Sequence, residues 1–143
     1  MGRLLAIDYG RKRVGIAVSD PLKLIANGLE TVHSKDIFSF LENYFKSEEV
    51  DIVIIGYPKQ MNNTPSESVV FVNSFIEKFR NKFPDMPVEL VDERFTSKLA
   101  VQSMIDSGIK KKQRQNKELI DKVSATIILQ SYMEYTNFQK SRE

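Results

Sequence analysis

The chain has 143 residues, 41% hydrophobic and 28% charged, with no Cys and one His; at ~150 residues per domain this reads as a single domain over 1–143, large enough to bury a core without disulfides or a structural metal. The lack of Cys excludes thiolate nucleophiles, Cys-based zinc sites, iron–sulfur clusters and disulfide scaffolds, and suits a cytoplasmic setting. Lys and Arg number 21 against 19 Asp and Glu, a net charge of +2 that identifies no partner by itself, and neither a secretory apolar segment nor a run near the ~18 residues of a membrane span is present.

Leu4 to Ile7 form an apolar run that stops at Asp8, and residues 13–18 alternate Val14, Ile16 and Val18 against Gly15 and Ala17. Period two predicts strands, and the intervening YGRKR predicts a tight turn, hence a hairpin. The small residues on one face of its second strand suggest close packing there. A short strand at Leu29–Val32 would extend an antiparallel meander. Ile37, Phe38, Leu41, Tyr44 and Phe45 then recur at helical spacing, and the run IVII at 52–55, apolar on both faces, suits a buried parallel strand.

Val69, Val72, Ile76, Phe79 and Phe83 form the stripe of an amphipathic helix. Thr64 as N-cap, Pro65 at the first helical position and Glu67 three after the cap mark its start. PDMP at 84–87 ends it, and Val88 to Val91 begin another strand. A helix from Thr96 through Leu99, Ala100 and Met104 to Gly108 follows, then a basic loop and a long helix from about Lys117 to Tyr135, with Val123, Ile127 and Ile128 facing inward. The order βββαβαβαα predicts an α/β fold: an antiparallel meander followed by parallel strands in a mixed five-stranded sheet, with helices on both faces.

In such sheets ligands gather at the carboxyl ends of the strands. Two of those ends carry acids directly after apolar runs: Asp8, and Asp92-Glu93-Arg94. Asp121 shares a helical face with Ala125, Ile128 and Tyr132, so it leads an apolar stripe instead of facing solvent. Taken singly, these acids could be a turn residue, a loop pair bridged to Arg94 and a helix-dipole partner. Gathered in one place they would repel one another unless cations intervene. Oxygen donors without Cys favour Mg²⁺ or Mn²⁺ over zinc. Three carboxylates and one phosphodiester would balance two divalent ions spaced ~3.5–4 Å apart, which is phosphodiester-cutting chemistry. Adjacent residues of an extended segment point to opposite faces, so Asp92 and Glu93 cannot easily share one job; both are candidate ligands, and the longer reach favours Glu93. His33 reads as a surface residue, which leaves metal-activated water as the nucleophile.

Basic side chains cluster at Arg11, Lys12 and Arg13 and again at 110–117, where Lys110, Lys111, Lys112, Arg114 and Lys117 fall within eight residues. Either cluster is a candidate phosphate contact or a solvated charge run.

DYGRKRVGIAVSD at 8–20, IGYPKQMNNT at 55–64, DERFTS at 92–97 and IDKVSATIILQ at 120–130 together resemble the YqgF (RuvX) family of Holliday junction resolvase-like, pre-16S rRNA nuclease-type proteins. The resemblance spans nearly the whole chain. It implies a ribonuclease H-like fold, with Asp8, Glu93 and Asp121 as the metal-binding catalytic set. It also implies cytoplasmic maturation of the 5′ end of 16S ribosomal RNA. Asn63 stands where the family usually has Gly, and Asn tolerates left-handed φ best after Gly.

The resulting expectation is a metal-dependent endonuclease, monomeric or homodimeric, that cuts structured RNA or branched DNA. Arg11, Lys12, Lys59, Arg94, Lys110, Lys111, Lys112 and Arg114 would hold the nucleic-acid backbone. Its rivals are a non-catalytic nucleic-acid or ribosome-assembly adaptor and a phosphate-binding half of an actin-like kinase fold. The second would require a second such domain.

Overall fold

The computed structural model describes residues 2–58, 67–92, 102, 105, 106, 108 and 116–141. Its strands are β1 (Arg3–Tyr9), β2 (Arg13–Ser19), β3 (Ala26–His33), β4 (Val50–Tyr57) and β5 (Val88–Asp92); its long helices are α1 (Ile37–Ser47), α2 (Glu67–Lys82) and α3 (Lys117–Ser141). The strands form one sheet in the order β3-β2-β1-β4-β5. β2 runs antiparallel to β1 and to β3, whereas β4 runs parallel to β1 and to β5. This is the expected meander followed by parallel strands.

Strand alternation sorts the central residues onto two faces. Leu5, Ile7, Val14, Ile16, Val18, Val53 and Ile55 pack against Ile37 and Leu41 of α1 and Val72, Phe75, Ile76 and Phe79 of α2. Leu4, Ala6, Ala17 and Ile54 pack against Ala125, Ile128, Leu129 and Met133 of α3. The IVII run is therefore apolar on both sides because both sides are covered, by α1 and α2 on one face and α3 on the other among the described residues.

α3 lies closest where the sheet has no side chains to hold it off. A Cβ at Gly15 would stand 2.0 Å from the Asp121 carbonyl oxygen, and one at Gly28 would meet Lys122 Cβ and Thr126 Oγ1, each at 3.4 Å. The helix start is pinned as well. Asn116 Oδ1 accepts from the Glu118 and Leu119 N–H groups at 3.0 and 3.3 Å, and the Thr31 hydroxyl donates to the Glu118 carbonyl at 2.7 Å.

Several expectations shift. β3 begins at Ala26, three residues before the predicted start. Val123 and Ile127 of α3 are half-buried, and its fully buried face is Ser124, Ala125, Ile128, Leu129 and Met133. That buried ridge follows the groove left by the small residues of β2. The proposed Thr64 cap lies outside the described residues, as does most of the Thr96–Gly108 helix. Gly108 has φ +77° and donates its N–H to the Ile105 carbonyl at 3.0 Å, the conformation of a helix C-terminal glycine. Among the described residues no helix is long and apolar enough to cross a membrane.

Candidate active site

Asp8 is the sixth residue of β1, on the same face as Leu4 and Ala6, at the carboxyl end of the central strand. It pairs in register with Gly15 of β2, and Gly15 lies directly beneath the Asp121 backbone. Two acids separated by 113 positions in sequence thus flank one glycine. A side chain at position 15 would push them apart.

Asp121 is half-buried beneath the first turns of α3. Arg13 reaches it from β2, its Nε donating to Asp121 Oδ2 at 2.8 Å, with 37% of the Arg13 side chain and 20% of the Asp121 side chain exposed. Arg13, Gly15 and Ala17 share a face of β2 by alternation, so the contact follows from the strand pleat. Burial raises the Asp121 carboxyl above its ordinary value, while the Arg13 guanidinium acts in the opposite direction. The net shift stays upward, so the ionised carboxylate is under-compensated here. A further cation beside it would relieve that cost, and the hard oxygen donors of Asp8 and Asp121 suit Mg²⁺ or Mn²⁺.

The third expected ligand is not among the described residues. Glu93 lies outside them, and no group of three His, Cys, Asp or Glu side chains able to hold a metal occurs within them. Asp92 ends β5, exposed and in register with Tyr57. Val88 belongs to the core beneath α1 and α2, whereas Val91 packs on the α3 core. Asp92 therefore falls on the face away from Asp8 and Asp121, and the structure does not bring it to them.

The basic cluster at 11–13 is divided. Arg11 and Lys12 are exposed on the β1–β2 turn, which is closed by Gly10 N–H donating to the Arg13 carbonyl at 3.0 Å. The Ser34 hydroxyl also donates to the Arg11 carbonyl, and the Ser34 N–H to that of Lys12 at 3.0 Å. Arg11 stacks over Phe71 of α2, 5.1 Å from the ring centroid. This turn holds two cations beside the strand end that carries Asp8. Arg13, which residue counting groups with them, instead serves Asp121; the alternation that pairs it with Gly15 was the available signal. Lys59, Arg94, Lys110, Lys111, Lys112 and Arg114 lie outside the described residues. His33, cross-strand from Arg13, is exposed and its Nδ1 accepts the Lys35 N–H at 3.1 Å.

A mixed sheet in this order, with Asp8 and the Asp121 backbone on either side of Gly15 at the carboxyl end of its central strand, is the arrangement of a ribonuclease H-like nuclease domain. Two solved structures share the fold: Thermus thermophilus RuvC in complex with a Holliday junction substrate (TM-score 0.56, 14% identity, 94% of this chain and 97% of that one) and the Fowlpox virus resolvase with its Holliday junction DNA (TM-score 0.55, 14% identity, 94% and 98%). The chain belongs to the RuvX family, whose model, described as Holliday junction resolvase, matches residues 2–135. It is 58% identical over 133 residues to a Christiangramia forsetii protein named "Putative pre-16S rRNA nuclease", covering 93% of this chain and 98% of that one. A Bacteroides fragilis protein of the same name is 58% identical over 134 residues, covering 94% and 97%.

Proposed function

We propose that this chain is a cytoplasmic, metal-dependent endonuclease that hydrolyses phosphodiesters of structured RNA at the 5′ end of pre-16S rRNA. The juxtaposition of Asp8 and Asp121 across Gly15 carries the reading, and the name borne by relatives at 58% identity supports the choice of substrate. In this reading Asp8, Glu93 and Asp121 hold the cations. Glu93 is preferred to Asp92 because strand alternation puts Asp92 on the opposite face. Bound Mg²⁺ or Mn²⁺ ions would supply Lewis acidity and counter-charge, letting water attack phosphorus at neutral pH.

The protein's own groups do the rest. Arg11 and Lys12 engage phosphates on one side of the scissile bond, fixed by the Ser34 hydrogen bonds to their turn. Lys59, Arg94, Lys110, Lys111, Lys112 and Arg114 would supply further phosphate contacts. The central strands beneath, apolar and covered on both faces, would keep Asp8 and Asp121 at fixed spacing.

The test is cleavage of precursor 16S RNA and of a four-way DNA junction side by side, in Mn²⁺ and in chelator. RNA cutting that needs Mn²⁺ is expected. Asp8→Asn should lower it by more than about a hundredfold, since even outer-shell partners of metal ligands cost 10–100-fold, while RNA binding persists. Undiminished metal-dependent cutting by Asp8→Asn protein would overturn the mechanism. Cutting of the junction alone would move the substrate to branched DNA.

A further inference from the structure

Arg13 places a cation directly on a proposed ligand oxygen, and it does so from a strand. It sits two residues before Gly15 on the same face of β2, and its Nε–H occupies Asp121 Oδ2 at 2.8 Å. A guanidinium nitrogen and a hard divalent cation seek the same lone pairs of that carboxylate. Arg13 is also partly exposed, so its head can swing toward solvent without opening the core.

We infer that Arg13 is a positioning residue that competes with the divalent cation for Asp121: it holds the carboxylate in the free protein, and cation binding displaces it toward the entering phosphodiester. This rests on the proposed nuclease reading and adds a step of control to it. A free site guarded by its own arginine binds cations weakly. A phosphodiester, offering Arg13 a better partner through bidentate contacts, draws it away and lets the cations load. Metal loading is thereby coupled to substrate arrival, with no moving domain.

The experiment is calorimetric titration of Mn²⁺ into the full chain without nucleic acid. Arg13→Gln removes the charge but keeps a side chain able to hydrogen-bond, and should bind Mn²⁺ at least about tenfold more tightly than wild type, because a full positive charge beside a ligand oxygen is gone. Arg13→Lys keeps the charge and should stay within about threefold of wild type. A purely structural role for Arg13 predicts the reverse, with looser binding in both variants. As a second readout, the Arg13 Nε–H resonance of wild type, assigned through its hydrogen-bond coupling to Asp121, should shift toward that of solvent-exposed arginines at saturating Mg²⁺.

Equal or weaker Mn²⁺ binding by folded Arg13→Gln, or an unmoved Nε–H resonance at saturation, would overturn the inference while leaving the nuclease reading intact. Failure of wild type and both variants to bind Mn²⁺ would overturn both.

Discussion

Asp121 answers to two opposed requirements. Packing asks for an apolar residue at the head of the face formed by Ala125, Ile128 and Leu129, and the proposed chemistry asks for a charge there. The structure keeps the charge and softens its cost with Arg13, but burial still dominates and the carboxyl stays raised. A buried group of this kind stores destabilisation at a functional site. Asp121→Asn removes the charge and keeps an oxygen for Arg13 to donate to. It should therefore abolish cleavage while raising the stability of the free protein at neutral pH by about 1 kcal/mol, or about 3 °C in melting temperature for a chain of this size. Thermal melting without divalent ions reads this directly, and a lower melting temperature for Asp121→Asn would show that the ion pair with Arg13 outweighs the burial.

At the scale of elements, the site depends on how closely α3 approaches β2. Gly15→Ala would drive a methyl into the Asp121 carbonyl, and because backbone cannot swing aside as a side chain can, the helix start must lift. Overpacking of this kind costs about 1–3 kcal/mol, and here it would also part Asp121 from Asp8. Both melting temperature and Mn²⁺ uptake should fall, whereas Gly28→Ala, facing only ordinary contacts at 3.4 Å, should spare Mn²⁺ uptake. Much of this was legible in the sequence. Val14, Ile16 and Val18 against Gly15 and Ala17 predict a strand with one close-packed face, and the helical spacing of Asp121, Ala125 and Ile128 predicts an acid at the head of an apolar stripe; that this stripe is what lies on that face comes from the structure.

What escaped was fixed by distant partners. β3 starts at Ala26 although Asn27 and Gly28 are poor strand formers, because pairing with β2, bulged between Ile16 and Ala17, imposes the extended chain. Phe75 fell off the expected α2 stripe, yet it is buried against the rings of Tyr9, Phe38 and Phe79. No local pattern ties Arg13 to a residue 108 positions away.

Across the whole molecule the two ends of the sheet hold acids in opposite ways. At the carboxyl end of β1, Asp121 is raised by burial. Near the amino end of β1, Asp51 accepts from Lys23 Nζ at 2.7 Å and from the Gly2 N–H at 3.1 Å, and Asp20 gathers the Leu22, Leu24 and Ile25 N–H groups at 2.8–3.2 Å. The Lys23 hydrogen bond holds Asp51 below the ordinary carboxylate value of 3.8, and the backbone N–H donors, that of Ile25 foremost, do the same for Asp20. A carboxyl lowered in the folded state adds stability that is fully present above its unfolded value and is lost as pH falls through the folded value. A raised one works against folding as pH climbs through the same region. The two ends therefore predict separate pH signatures in melting experiments. Asp51→Asn should fall below wild type at neutral pH and converge with it as the pH drops well below 3.8. Asp121→Asn should match wild type at low pH and rise above it as the pH climbs from the ordinary carboxylate value of 3.8 to the raised one. The Asp51 difference should also shrink in high salt, because its ion pair is partly exposed. Parallel melting curves for Asp51→Asn and wild type across the acid range would show that the Lys23 and Gly2 contacts do not persist in solution.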